Sequence, residues 1–356
     1  MELIPSPLIR FENDYCDGAL PEVMEALIRT NDERTNVYSE DYHCEEARNI
    51  IQKLCNNSRA AVHFLPGGTI ANVTLLASAI LPYQGVVSSS VGHIHVHETG
   101  AIEARGHKVL TIGSHDGKIS ANEIRRLFDN HYADPNHEHT VQPGIVYITN
   151  PTEYGAIYHK DELAAISEVC RKCGMYLYLD GARLGYALTA ETNDLTLADL
   201  ALLCDAFTIG GTKHGALFGE ALVITNDRLK VNFRYSIKQS GALTAKGRLL
   251  GVQFTALMEN GLYFDTSQKS NQKAIRIRDA LEALGYPFYV NSETNQQFPI
   301  FPNRELSLLA ERYSFSTIEK IDEGHTCVRI CTNWSTKDED IDSLLADIRK
   351  IRSMKF

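Results

Sequence analysis

"DAFTIGGTKHGALFGEALVIT", residues 205–225, holds a single lysine, Lys213, among small and apolar residues. Lysine normally sits on solvated surface. This one follows two glycines and a threonine, at the end of a stretch that reads as a buried strand. It is either a surface lysine on a turn between strands or a reactive amine held in a cleft. The flanks "DAFTIGG" (205–211) and "GEALVIT" (219–225) both read as strands. Upstream, "GMYLYLDGA" (174–182) also reads as an apolar strand and ends on an acid, Asp180.

The same rhythm extends outward. "AAVHFL" (60–65), "GVVSSS" (85–90), "HKVLTIG" (107–113) and "GIVYITN" (144–150) read as further strands. Between them, "IANVTLLASAIL" (70–81), "ISANEIRRLFDNHY" (119–132), "KDELAAISEVCRKC" (160–173) and "LADLALLC" (197–204) carry helical spacing. Acids open the third of these helices, as the helix dipole favours. Strands alternating with helices predict an α/β fold with a mostly parallel sheet covered on both faces. Beyond about residue 255 the pattern changes. "SNQKAIRIRDALEALG" (270–285) reads as a helix, "YPFYV" and "QQFPIF" as short strands, "CVRICTNW" (327–334) as a strand and the C-terminal segment as an amphipathic helix. The expected organisation is an N-terminal arm (1–14), a large domain (15–254) and a smaller C-terminal α+β domain (255–356). The arm is expected to pack on the small domain or on a neighbouring subunit.

Composition narrows the function classes. The 356 residues carry a formal net charge of -10, which argues against nucleic acid or an anionic membrane as main partner. No apolar run is long enough for a membrane span, and no secretory signal opens the chain, so a cytoplasmic protein is expected. The eight cysteines then read as reduced, mostly buried thiols. Cys170 and Cys173 form one CxxC, but Cys327 and Cys331 make a poor second pair for zinc. No metal is expected.

The chemistry follows from position. In an open α/β sheet, ligands bind beyond the carboxyl ends of the strands. Asp180 and Lys213 both stand at such ends. A pyridoxal phosphate enzyme needs a lysine for the Schiff base and an acid to hold the pyridine nitrogen protonated, so that the ring acts as electron sink. Gly210 and Gly211 would let the backbone approach the cofactor, and Thr208 and Thr212 could offer hydroxyls to its phosphate. "LPGGTIAN" (65–72), between a strand and a helix, offers a phosphate cradle of backbone amides with the Thr69 hydroxyl. "GHIHVHETG" (92–100) is open to two readings. As a strand it would align three histidines on one face for a metal; otherwise His93 stacks on a flat cofactor, with His95 and His97 as ordinary polar side chains.

Together these segments resemble the threonine aldolase family, in the β-eliminating lyase group of fold-type I pyridoxal phosphate enzymes. "FENDY", "NVYSED", "FLPGGTIAN", "LDGARLG" and "TIGGTKHG" carry the resemblance in order along most of the chain. It implies an aspartate-aminotransferase-like large domain with a mostly parallel seven-stranded sheet. It further implies that Lys213 carries the Schiff base, Asp180 meets the pyridine nitrogen, His93 stacks on the ring, and Gly68 and Thr69 hold the phosphate. Arg183 and Arg329 would grip the substrate carboxylate, a bidentate task suited to guanidinium. Asn13 would touch that carboxylate too, and Tyr38 would line the site. Lys238, or Lys246 behind it, would reach the phosphate of a neighbouring subunit in a homodimer or homotetramer. The chain departs from the family pattern at Glu153, which stands where better-studied members carry a histidine. A carboxylate there could act as general base, with His95, His97 or Glu98 as other sharers of that task. The implied activity is cleavage of L-threonine, L-allo-threonine or a related β-hydroxy-α-amino acid to glycine and an aldehyde. β-Elimination, transamination and cofactor binding without turnover stay open.

Overall fold

The computed structural model describes residues 8–354; the part of the expected arm at 1–7 lies outside them. The first strand is β1 (Ile9–Arg10), and seven more follow: β2 (Ala61–Leu65), β3 (Gln84–Ser89), β4 (Val109–Ile112), β5 (Gln142–Thr149), β6 (Tyr176–Asp180), β7 (Ala206–Gly210) and β8 (Glu220–Ile224). The last seven form one sheet in the order β2-β8-β7-β6-β5-β3-β4. Only β8 runs against its neighbours β2 and β7; the other pairs are parallel. The mostly parallel sheet of the sequence reading is therefore present.

Helices cover both faces, which is why the central strands are apolar along their length. In β6, Leu177 and Leu179 pack into one core with Leu163, Ile166 and Leu184, while Tyr178 enters the opposite core with Leu76, Val86 and Ile145. The helix Lys160–Cys173 starts with a capping box of His159 and Glu162 and stops at Gly174, whose φ of 67° suits a residue without Cβ.

A second, antiparallel sheet is built by β10 (Ile300–Pro302), β12 (Ser316–Lys320) and β13 (His325–Cys331), with β9 (Gln296–Gln297) also on β13. Its core joins Phe301 and Ile330 to Ile277, Leu281, Ile341 and Leu344 from the flanking helices. The arm joins this unit: β1 pairs in parallel with β11 (Tyr313–Ser314), and Phe11 lies in the same core.

Several elements differ from the sequence reading. Helices Pro21–Arg29 and Tyr42–Leu54 appear where none was read, and the helix expected from 270 already starts at Leu262. "YPFYV" makes only one bridge, Phe288 to Pro299, rather than a strand. The helix Arg248–Met258 runs through the expected division at 254/255. The histidine segment is a short helix, His93–Val96. Helical geometry fans its side chains around an axis, so the three histidines do not share a strand face and the aligned-metal reading fails.

Candidate active site

Register brings the strand ends together. Thr149 pairs with Asp180 at the ends of β5 and β6. Glu220, the first residue of β8, pairs with Gly210 of β7 on one side and Leu65 of β2 on the other. The loops after β2, β5, β6 and β7 therefore open onto one place. There, a cleft of about 320 Å³ is lined by Gly68, Thr69, His93, Glu153, Asp180, Arg183, Thr212 and Lys213, along with Tyr15, Asn72 and Glu220. A larger groove of about 790 Å³ lies elsewhere, beside the helix Leu262–Ala283. It holds none of the expected residues, so chemistry rather than size selects the smaller one.

Asp180 is nearly buried, with both oxygens engaged. Its Oδ2 accepts from Asn72 Nδ2 at 2.9 Å and from the Tyr147 hydroxyl at 2.7 Å, and its Oδ1 accepts from the Ala182 amide at 2.9 Å. Asn72 is itself oriented by donating to Glu98 at 2.8 Å and accepting from the Tyr178 hydroxyl at 2.7 Å. Glu98 Oε1 also meets His93 Nδ1 at 2.8 Å. Burial works against a charged His93, but the Glu98 hydrogen bond and the nearby Glu153 and Asp180 charges outweigh it and raise the imidazole above its ordinary range. One hydrogen-bonded chain thus fixes both His93 and Asp180.

The cradle for an anion is open. The helix Gly68–Ala79 begins after Gly67 with no side-chain cap, which leaves its first amides available. A Cβ placed on Gly67 or Gly68 would meet nothing within 4 Å, so this turn has room for a group such as a phosphate. With the Lys213 amine, the Asp180 carboxylate, the His93 ring and the Thr69 and Thr212 hydroxyls on the same cleft, these residues fit pyridoxal phosphate. The Lys213 ammonium also lies 5.9 Å from the centre of the Tyr15 ring.

Two parts of the sequence reading are corrected. Thr208 is buried and accepts from the Gly181 amide at 2.8 Å, so its hydroxyl fixes the turn after β6 instead of meeting a phosphate. Gly210 and Gly211 make room for protein backbone: an added Cβ would lie 2.3 Å from the Ala182 carbonyl or 2.7 Å from that of Gly219.

The carboxylate-binding residues are arranged less simply. Arg183 donates from Nε and Nη2 to the two oxygens of Asp14, at 2.7 and 2.9 Å. Both side chains are buried, and Asn295 Nδ2 adds a third bond to Asp14 at 2.9 Å. Burial would raise the Asp14 carboxyl, but Arg183 and Lys213 hold it well below the usual carboxylate range. Arg329 does not line the cleft in this single chain. Its Nη2 donates to the Glu12 carbonyl at 2.9 Å and its Nη1 to Gln296 Oε1 at 3.3 Å. Its Nε is buried without a partner among the described residues. Asn13 accepts from the Tyr15 amide at 3.0 Å and also stands outside the lining.

Tyr38 and Lys238 lie apart from the cleft but together, with the ammonium 4.5 Å from the ring centre. Tyr38 holds an unusual positive φ of 58°, and its carbonyl accepts from Arg234 at 2.8 Å. Lys246 does not line the cleft.

Asn72, Tyr147, Asp14 and Glu220 were missed in the sequence. Asn72 had a signal, since it follows Gly68 by one helical turn and must face the same side. Asp14 had none, because its partner Arg183 is 169 positions away.

Comparison with known proteins agrees with this geometry. The family model described as beta-eliminating lyase matches residues 13–302. A low-specificity L-threonine aldolase from a Pseudomonas species is 31% identical, over 97% of this chain and 98% of its own. The counterpart from Escherichia coli K12 is 24% identical, over 88% and 90%. Among solved structures, Leishmania major threonine aldolase superposes with a TM-score of 0.94 at 42% identity, covering 97% of this chain and 99% of that one. Thermus thermophilus aspartate aminotransferase, at 13% identity and a TM-score of 0.72, shares the fold across 97% and 91%. The resemblance read from the motifs is borne out, and so is the aspartate-aminotransferase-like fold. Threonine aldolases and the aminotransferases of this fold depend on pyridoxal phosphate. The chain belongs to the beta-eliminating lyase family.

Proposed function

We propose that this protein is a pyridoxal-phosphate-dependent aldolase that cleaves L-threonine, L-allo-threonine or a related β-hydroxy-α-amino acid to glycine and an aldehyde. One observation carries the reading. Lys213, Asp180, His93, the open turn at Gly67–Gly68, Arg183 and Glu153 all face a single cleft, in a chain whose relatives are named threonine aldolases.

When bound through the Lys213 amine, the cofactor supplies an electron sink for the pair released by the breaking Cα–Cβ bond. The chain's own residues do the rest. Asp180, fixed by Asn72 and Tyr147, would hold a proton at the ring nitrogen. The His93 ring, locked by Glu98, would stack on the cofactor. The amides after Gly67 and the Thr69 hydroxyl would take the phosphate; the Thr212 hydroxyl, read from the sequence as a phosphate donor, is given to Glu220 instead. Arg183 offers its remaining Nη1 edge to the substrate carboxylate, because Asp14 occupies the other edge. Arg329 and Asn13 complete that contact once the arm adjusts around substrate. Glu153, on the loop after β5, accepts the β-hydroxyl proton as general base.

Tyr38 and Lys238 serve a neighbouring copy in this reading. Their pairing outside their own cleft supports a homodimer or homotetramer with sites at subunit interfaces. Mixing Lys213→Ala protein with Lys238→Ala protein would then restore activity in hybrids. We place the enzyme in the cytoplasm and read residues 15–254 as its cofactor-binding unit and 255–356 as its smaller unit.

The test is a panel of β-hydroxy-α-amino acids with the cofactor-loaded protein. Equal release of glycine and aldehyde supports the aldolase. Pyruvate and ammonia from serine would favour β-elimination, and a keto acid would favour transamination.

A further inference from the structure

Glu220 is the acid that the mechanism above leaves unused. It opens β8 and stands between the open turn after β2 and the Lys213 turn after β7. It is 4% exposed and lines the cleft. Its Oε1 accepts from the Thr212 hydroxyl at 3.2 Å, and Thr212 Oγ1 in turn accepts from the Gly219 amide at 3.0 Å. Its Oε2 is buried with no partner among the described residues. A carboxylate oxygen left this way costs free energy unless it carries a proton or meets a cation.

The groups around it are few. Lys213 approaches from the turn after β7 and Asp180 from the end of β6. Tyr178 of β6 and Tyr263 of the helix Leu262–Ala283 are the other titratable neighbours, both buried. On the β2 side, Leu65, Pro66, Gly67, Gly68 and Thr69 bring no charge. Lys213 is the cation whose charge acts most on this acid, and it lines the same cleft.

We propose that Glu220 is the charge partner of Lys213, a positioning residue that sets the protonation of the lysine nitrogen across the cleft both residues line. The two act on each other through charge. An ionised Glu220 favours the protonated lysine nitrogen, and a protonated Glu220 favours a neutral amine able to attack a carbonyl. Burial supports this by pushing the Glu220 carboxyl up; Lys213 opposes that rise, and Asp180 adds to it. Such a pair titrates as a unit. At high pH an ionised Glu220 holds the proton on the lysine nitrogen; without it that proton leaves earlier.

The inference rests on Lys213 anchoring the cofactor, which Lys213→Ala tests separately through loss of the visible cofactor band. The experiment is a spectrophotometric pH titration of that band in wild type, Glu220→Gln and Glu220→Ala. Gln keeps an acceptor for Thr212 but cannot ionise. The expected result is a midpoint lowered by about one unit or more in both variants, a tenfold or greater loss of proton affinity at the lysine nitrogen. An unchanged midpoint in Glu220→Gln with a shift only in Glu220→Ala would reduce Glu220 to a support for Thr212 and overturn the proposal. Should the variants fail to fold, infrared spectroscopy of the wild type decides. A protonated carboxylic acid band that fades as pH rises in step with the visible titration supports the pair. Its absence at neutral pH contradicts it.

Discussion

The cleft has two walls made in different ways. The wall we propose for the cofactor comes from strand ends of one sheet: Asp180, Lys213 and the turn at Gly67–Gly68 sit at or just after the ends of β6, β7 and β2. The side we propose for substrate is Arg183, and the support behind it is assembled from distant pieces. Asp14 reaches Arg183 across 169 positions and Asn295 across 281, and Arg329 reaches the Glu12 carbonyl across 317. The first wall follows from topology alone, because strand ends in such a sheet must converge. The second depends on how the arm and the small sheet dock.

Substitutions can break this contrast. The largest expected effect is on the chemistry that joins the walls. Glu153→Gln should lower kcat by about 10²–10⁴-fold, as loss of a general base does, while the visible cofactor spectrum stays intact. Steady-state kinetics beside an absorbance scan checks both halves. A lost spectrum would place Glu153 on the cofactor wall instead.

The substrate wall is tested next by Asp14→Ala. That change leaves the buried Arg183 without its partner, which costs about 3–5 kcal/mol in comparable pairs. Denaturant unfolding should show that loss, and KM should rise more than kcat falls. Asp14→Asn should recover part of both. Equal cofactor affinity in all three proteins would keep the walls separable; a matching loss of cofactor would merge them.

A smaller effect concerns pH. His214, beside Lys213, is buried and hydrogen-bonded to Ser267 Oγ at 2.9 Å. Burial lowers its imidazole from 6.5 to about 3. Folded His214 stays neutral while the unfolded chain takes up a proton below its ordinary value. Stability contributed by this site is therefore full above about pH 6.5. It falls as pH drops below that, by at most about 1.4 kcal/mol per unit, until the folded value is reached. Unfolding at a series of pH values checks this, and His214→Gln should flatten the slope.

Legibility in the sequence follows the same division. Every strand of the seven-stranded sheet was readable, because apolar runs of buried strands end in polar or glycine residues. Lys213, Asp180, His93 and the phosphate turn were readable for that reason. Helices Pro21–Arg29 and Tyr42–Leu54 went unread although both are amphipathic, since no strand of the large sheet precedes them to mark them as crossovers. Arg329 was readable as a residue with apolar flanks, but its seat against Glu12 was not. Asp14 and Glu220 stayed hidden because an acid beside apolar residues reads as a cap or a strand end until its partner is known. Gly210 and Gly211 were read for the wrong neighbour: the space they leave is filled by backbone of the turns after β6 and before β8.

The most direct measurement is to reduce the cofactor-loaded protein with borohydride and map the modified residue by peptide mass spectrometry. The account predicts one pyridoxyl group per chain, on Lys213. A label on another lysine, or no label on a protein that still releases glycine from β-hydroxy-α-amino acids, would contradict it.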